Sequence, residues 1–258
     1  MNAITQDGLA ARFEHARTLV LEAGRLAAAM RETLAPIETK SPIDFCTEAD
    51  HAVERLLRDD LVARFGDGFI GEEGGGEAAA GVWVVDPIDG TAGYIHGTSR
   101  WCVSLAFVLN GRIELGLIYA PVEDRLFLAR RGHGATLNGK PMRVSGLAHG
   151  AAPVVECGWS ERRPLAAYCD VLQKLTRDGM EFRRHGSGAL GLADVACGRN
   201  DAYLELHINA WDALAGLLLV TEAGGWTNDF LAGHGLTEGN LVIAATPQLR
   251  ERLLAVLS

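Results

Sequence analysis

Apolar positions in the first third of the chain fall at helical spacing. Leu9, Phe13, Ala16, Val20, Ala23, Ala27 and Met30 recur at three- and four-residue steps, one face of a long amphipathic helix that should end near Pro36. A second helix is expected from Glu48 to Phe65, with Val53, Leu56, Leu57, Leu61 and Phe65 turned inward. The period then changes. Trp83-Val84-Val85 is a β-branched and aromatic run without polar interruption and reads as a buried strand. Pro87 has no N–H for a sheet ladder, so the strand should stop there and the chain turn. Cys102 to Leu109 and Arg112 to Tyr119 flank Asn110-Gly111, the sequence of a tight hairpin. Arg125 to Ala129 is a further strand before a second such turn at Asn138-Gly139. After Pro153 strands and helices alternate, with helices near 165–176, 189–197, 213–222 and 247–257. Antiparallel strands first and mixed strands later predict an α/β (α+β) fold of layered sheets separated by helices.

Composition narrows the class. A chain of 258 residues with 48% hydrophobic and 22% charged residues can bury a substantial core, as a soluble enzyme does. The net charge of −9 argues against nucleic acid or an anionic membrane as partner. An anionic substrate stays open, because bound cations reverse the local sign. Five cysteines, at 46, 102, 157, 169 and 197, are scattered without a C-x-x-C pair. They fit a reducing compartment and speak against a disulfide framework or a zinc site. Asp7, Arg12, Glu14 and Arg17 interrupt the apolar N-terminal residues, which excludes a signal peptide or membrane span there. A cytoplasmic protein is expected. There is no internal repeat or low-complexity linker, and the glycines at 74–76 are expected to form a mobile loop.

The chemistry concentrates at strand ends. Asp86 and Asp89 sit three positions apart at the end of the Trp83 run, followed at once by Gly90 and Thr91. Upstream, Phe69-Ile70-Gly71-Glu72-Glu73-Gly74 again places carboxylates after a short apolar run, and Asp212 opens the apolar stretch from Ala213 to Val220. Clustered oxygen ligands suit hard cations such as Mg²⁺, and amides at a glycine turn suit phosphate. Together they point to phosphoryl chemistry. Each carboxylate also has a plain structural alternative. Asp-Pro and Asp-Gly pairs form ordinary turns, Asp212 is a suitable helix N-cap, and Asp50 fits a capping box with Thr47.

These blocks resemble the inositol monophosphatase family, the Mg²⁺-dependent, lithium-sensitive phosphomonoesterases. The family's G-E-E, D-P-I-D-G-T and W-D blocks stand at Gly71-Glu72-Glu73, Asp86 to Thr91 and Trp211-Asp212. Gly186-Ser187-Gly188-Ala189 resembles its G-[ST]-A-A turn, and Thr221 to Gly225 matches the end of the W-D block. The resemblance implies one domain over 1–258, with helices and an antiparallel sheet in 1–150 and an α/β part in 151–258. The fold it implies is the layered α-β-α-β-α sandwich shared with fructose-1,6-bisphosphatase. It assigns Glu72, Asp86, Asp89, Asp212 and the Ile88 carbonyl to two or three Mg²⁺ ions. Glu72 and Thr91 would activate and orient the attacking water, with Asp50 behind the threonine. Asp89, Gly90, Thr91, Gly186, Ser187, Gly188, Glu205, Asp212 and Lys40 would surround a small phosphorylated substrate. The family is commonly dimeric, so a homodimer is expected.

Substrate identity depends on the later half. Glu205 stands six residues before Trp211, where inositol phosphatases of the family carry a glutamate that bonds polyol hydroxyls; the alternative is a strand residue facing solvent. Gly188, His207 and Ala92-Gly93-Tyr94 depart from the common pattern. The resemblance therefore implies an inositol-1-phosphatase first and a histidinol-phosphatase second. Relatives acting on fructose 1,6-bisphosphate or adenosine 3′,5′-bisphosphate share the blocks. A non-enzymatic alternative is a regulatory partner of the transcription machinery, as in some bacterial relatives.

Overall fold

The structure is a computed structural model that describes residues 4–33, 38–41, 44–147 and 152–257. Helix α1 (Gln6–Arg31) opens the chain and is capped by Thr5, whose side chain accepts from Gly8 N. The expected stop near Pro36 lies outside the described residues; the helix itself ends at Arg31. A short hairpin, β1 (Glu38–Ser41) and β2 (Asp44–Cys46), leads to α2 (Glu48–Phe65). Then come β3 (Gly68–Gly71), β4 (Gly75–Gly76), β5 (Gly81–Asp89), α3 (Thr91–Ile95), β6 (Cys102–Leu109), β7 (Arg112–Ala120), β8 (Arg125–Arg130), β9 (Ala135–Leu137) and β10 (Lys140–Pro141). The last third holds β11 (Val154–Cys157), α4 (Leu165–Arg177), β12 (Glu181–Arg183), α5 (Gly188–Ala196), β13 (Ala202–Ile208) and α6 (Ala210–Glu222). It closes with β14 (Trp226–Thr227), α7 (Gly235–Glu238), β15 (Asn240–Ala245) and α8 (Arg250–Leu257).

Two sheets result. One has eight strands in the order β10-β9-β8-β7-β6-β5-β3-β4, antiparallel throughout except for the parallel β3–β5 pair. The other runs β12-β11-β13-β15-β14 and is mixed. Side chains alternate across each strand, so every strand feeds two cores. Trp83, Val85, Leu105 and Phe107 face α1 and α2, while Val82, Val84, Ala106 and Val108 face α5 and α6. On β13, Tyr203 joins that middle layer, whereas Ala202 and Leu204 pack with α4 and α8. The layering is α-β-α-β-α, as expected. Among the described residues no helix is long and apolar enough to cross a membrane, and none of the five cysteines is in a disulfide.

Two local readings need correction. The Trp83 strand does not stop at Pro87 but continues to Asp89, with its register against β6 shifting between Asp86 and Asp89. A bulge is a place where a proline's missing N–H does no harm, and the shift re-aims the side chains that follow. The glycines at 74–76 are not simply a loop: Gly75 and Gly76 form β4, pairing with Gly71 and Ile70.

Candidate active site

The ends of β3, β5 and β13 meet the N-termini of α3, α5 and α6 around a cleft of about 300 Å³. Every residue singled out from the sequence lines it except Asp50 and Lys40. Lys40 lies on β1, and its side chain is outside the described residues. Asp50 is buried at the start of α2, where its Oδ2 accepts from Thr47 N at 2.8 Å and Thr47 Oγ1 at 2.6 Å. The capping box is thus realised.

Carboxylate oxygens of Asp86, Asp89 and Asp212 converge within 4.8 Å of one another. Glu72 borders the same space, its backbone N donating to Val85 O at 3.2 Å and so extending the β3–β5 ladder. Asp86 is pushed well up from the usual carboxylate range by burial, then by the charges of Glu72, Asp212 and Asp89. Asp212 is pushed well up by burial, then by Asp89 and Glu72. Burial raises Asp89 too, against the opposing pull of its hydrogen bonds. Three carboxylates brought this close disfavour one another's charge, and an all-oxygen set fits a hard divalent ion.

Asp89 has the firmest grip. Its carboxylate accepts from Ser187 Oγ at 2.5 Å, Ala189 N at 2.7 Å and Gly188 N at 3.2 Å. Ser187 Oγ in turn accepts from Leu190 N and caps α5. The glycine-serine block therefore holds a carboxylate at the helix N-terminus, where negative charge is favoured. Asp212 is not the N-cap of α6, which starts three residues earlier at the cap Asn209; its Oδ2 accepts from Asn209 N at 3.2 Å.

Gly90 has φ +91°, and a β-carbon there would stand 2.5 Å from Arg100 O. Only glycine makes this turn without strain. Next to it Thr91 Oγ1 donates to Ile88 O at 3.0 Å. Ile88 N donates to Asp86 Oδ1 at 2.9 Å, so the bulge is stitched by its own side chains.

Glu205 does not face solvent. It is buried, with Tyr203 Oη donating to its Oε2 at 2.6 Å, and burial pushes its pKa up to about 7. A β-carbon at Gly158 would overlap Glu205 Oε2 and the Tyr203 hydroxyl. Gly158→Ala should therefore break this pair and destabilise the protein by about 1–3 kcal/mol, read from the urea midpoint. An unchanged midpoint would mean that the pair has room to move.

Sequence reasoning missed the ion network behind the cleft. His185 Nδ1 lies 3.2 Å from Glu156 Oε2, and Asn200 Nδ2 donates to the same oxygen at 2.8 Å. Arg100 joins Glu156 to Asp194, which also takes Arg125 at 2.5 Å. Arg162 and Arg184 line the cleft as well, and the doubled arginines at 162–163 and 183–184 were the one signal in the chain. Tyr94, where the family pattern departs, is a packing residue: it is buried and donates to Ala27 O at 2.8 Å.

The chain is similar to known proteins over most of its length. The Nus factor SuhB of Xylella fastidiosa is 40% identical over 203 residues, 77% of this chain and 74% of that protein. The inositol-1-monophosphatase of Mesorhizobium japonicum is 37% identical over 224 residues, 84% of each chain. The crystal structure of extragenic suppressor protein suhB from Bartonella henselae superimposes with a TM-score of 0.84 at 33% identity, covering 93% of this chain and 96% of that one. The model of the inositol monophosphatase family matches residues 9–258, and the chain belongs to that family of phosphatases.

Proposed function

We propose that the protein is a Mg²⁺-dependent phosphomonoesterase with myo-inositol 1-phosphate as its leading substrate. The observation that carries this reading is the meeting of Asp86, Asp89 and Asp212 in one cleft with Thr91 and the buried Glu205. Mg²⁺ held by Glu72, Asp86, Asp89, Asp212 and the Ile88 carbonyl would neutralise phosphoryl charge, acidify a water and steady the leaving oxygen. The chain's own groups do the rest. Thr91 Oγ1 spends its proton on Ile88 O, so toward the cleft it can only accept, and a water beside it must donate. Glu72, which lines the same cleft, would take up a proton from that water. Burial first, and then the nearby charge of Asp50, raise the phenol of Tyr94 on α3, the helix that Thr91 opens, which supports a positioning role for Asp50. Arg162 and Arg184 offer positive charge to an entering anion. Glu205 offers the alcohol portion a carboxyl group.

Histidinol phosphate is the second candidate, because Glu205 can pair with an amine as well as with hydroxyls. The Nus factor name carried by relatives such as the Xylella protein favours one further reading, a protein-binding role beside the transcription machinery. A scaffold has no use for three carboxylates crowded into one cleft, two of them buried, an arrangement that a bound cation would relieve. That favours the enzyme.

Phosphate release should be measured with inositol 1-phosphate, histidinol phosphate, fructose 1,6-bisphosphate and adenosine 3′,5′-bisphosphate, with Mg²⁺ and with chelator. Turnover is expected to need Mg²⁺, to be fastest on inositol 1-phosphate, and to fall in millimolar LiCl against a KCl control. No release from any ester would remove the enzymatic reading. Lithium tolerance with faster histidinol phosphate turnover would replace the substrate.

A further inference from the structure

A second constellation lies outside the catalytic cleft, where the start of α2 meets the turn after β3. Ligand atoms of Cys46, His51 and Glu73 all lie within 4.8 Å of one another. Cys46 Sγ and His51 Nε2 are 3.5 Å apart. Tetrahedral zinc, with Zn–S about 2.3 Å and Zn–N about 2.0–2.1 Å, holds a sulfur and a nitrogen about 3.6 Å from each other. The observed spacing, at which the two atoms are within hydrogen-bond distance, also fits a shared ion.

The scaffold around the three is firm. Thr47, the cap of α2, joins Cys46 at the end of β2 to the first turn of the helix, which carries His51. Glu73 N and Gly74 N each donate to the Glu54 carboxylate at 2.8 Å, pinning the turn to the same helix. A cleft of about 260 Å³ opens onto His51 and Glu73, while Cys46 is buried. The arginines that border this cleft do not exclude a cation: Arg58 is paired with Glu54 at 2.8 Å, and Arg55 lies 4.0 Å from Glu48.

We propose that Cys46, His51 and Glu73 bind a zinc-type divalent cation, with a fourth coordination position open to the small cleft. A thiolate and an imidazole select such an ion over Mg²⁺, whereas the all-oxygen cluster of the catalytic cleft does the opposite. Binding releases the Cys46 thiol proton to solvent, and the two anionic ligands then balance the charge of the ion. The spacing of the cysteines in the sequence argues against zinc because this site uses only one of them, with its carboxylate arriving from another element. Glu73 directly follows Glu72, so an ion here would tie to α2 the turn that carries the catalytic carboxylate.

Cobalt(II) titrated into Mg²⁺-saturated protein tests this directly, because a thiolate ligand adds near-ultraviolet charge-transfer absorption and tetrahedral cobalt absorbs strongly in the visible. Both bands are expected in the wild type and both should vanish in Cys46→Ser. His51→Gln should weaken cobalt binding by at least about tenfold. Because Cys46 is buried, His51→Gln carries the test on its own if the serine variant fails to fold. Absent bands in the wild type, bands that persist in Cys46→Ser, or unchanged affinity in His51→Gln would each overturn the site.

Discussion

Asp212→Asn is expected to lower turnover at saturating Mg²⁺ by at least about 100-fold and, in chelator, to raise the melting temperature. Losing a partner of a metal ligand already costs about 10–100-fold, and Asp212 is proposed as a ligand itself. The stability gain has a separate cause. Asp212 is enclosed, and burial first, then the charges of Asp89 and Glu72, disfavour its ionised form. An amide of the same shape removes that repulsion, and its oxygen can still accept from Asn209 N. Each kcal/mol relieved should raise the melting point by roughly 2–4 °C in a protein of this size. Added Mg²⁺ should stabilise the wild type and leave the variant little changed. Asp89→Asn is a poorer probe, since the amide of the new side chain would confront donors of α5 that now rest on a carboxylate. Wild-type turnover in Asp212→Asn would remove Asp212 from the metal site. A fall in the chelated melting point would show that its charge is compensated.

Glu205→Gln should slow inositol 1-phosphate turnover roughly 10- to 150-fold while sparing p-nitrophenyl phosphate. Hydrogen bonds to a charged group contribute about 1.5–3 kcal/mol, and the smaller ester has no hydroxyls to place there. Equal losses on both esters would make Glu205 a support of the whole cleft. No loss on either would remove it from substrate recognition. The same variant has a signature in stability. The folded carboxyl titrates near 7 rather than 4.5, chiefly because it is buried. Between those values the folded protein holds a proton that the unfolded chain has lost, so stability falls as pH rises through this window. The full effect is about 3 kcal/mol. Urea midpoints from pH 5 to 8 should fall less steeply in Glu205→Gln than in the wild type, and parallel curves would contradict the assignment.

Much of this architecture is legible because its cues are local. Helix α2 runs from Glu48 to Phe65 as read, since Thr47 caps one end and Gly66, at φ +66°, closes the other. Asn110-Gly111 and Asn138-Gly139 both adopt the positive φ that tight hairpins demand. The readings that failed depended on partners far along the chain. Pro87 stays in its strand because β6 accommodates a bulge, and the glycines of β4 pair because β3 offers them an edge. At the site, residue types and order were enough to single out the cleft carboxylates. The partners of Asp89 and Glu156 were not readable, because contacts such as Arg100–Asp194 leave no periodicity in the sequence.

The grip of α5 on Asp89 also bears on how the chain is made. Asp86 and Asp89 leave the ribosome about a hundred residues before Ser187 and Ala189, and well over a hundred before Asp212. The strand that carries them can pair with its neighbours while its carboxylates are still hydrated and mutually distant from the third. Closing so long a loop is slow compared with forming the hairpins already in place. The crowding of negative charge is thus postponed to a later stage of synthesis, when the helix N-terminus that steadies Asp89 arrives first and the repelling Asp212 follows.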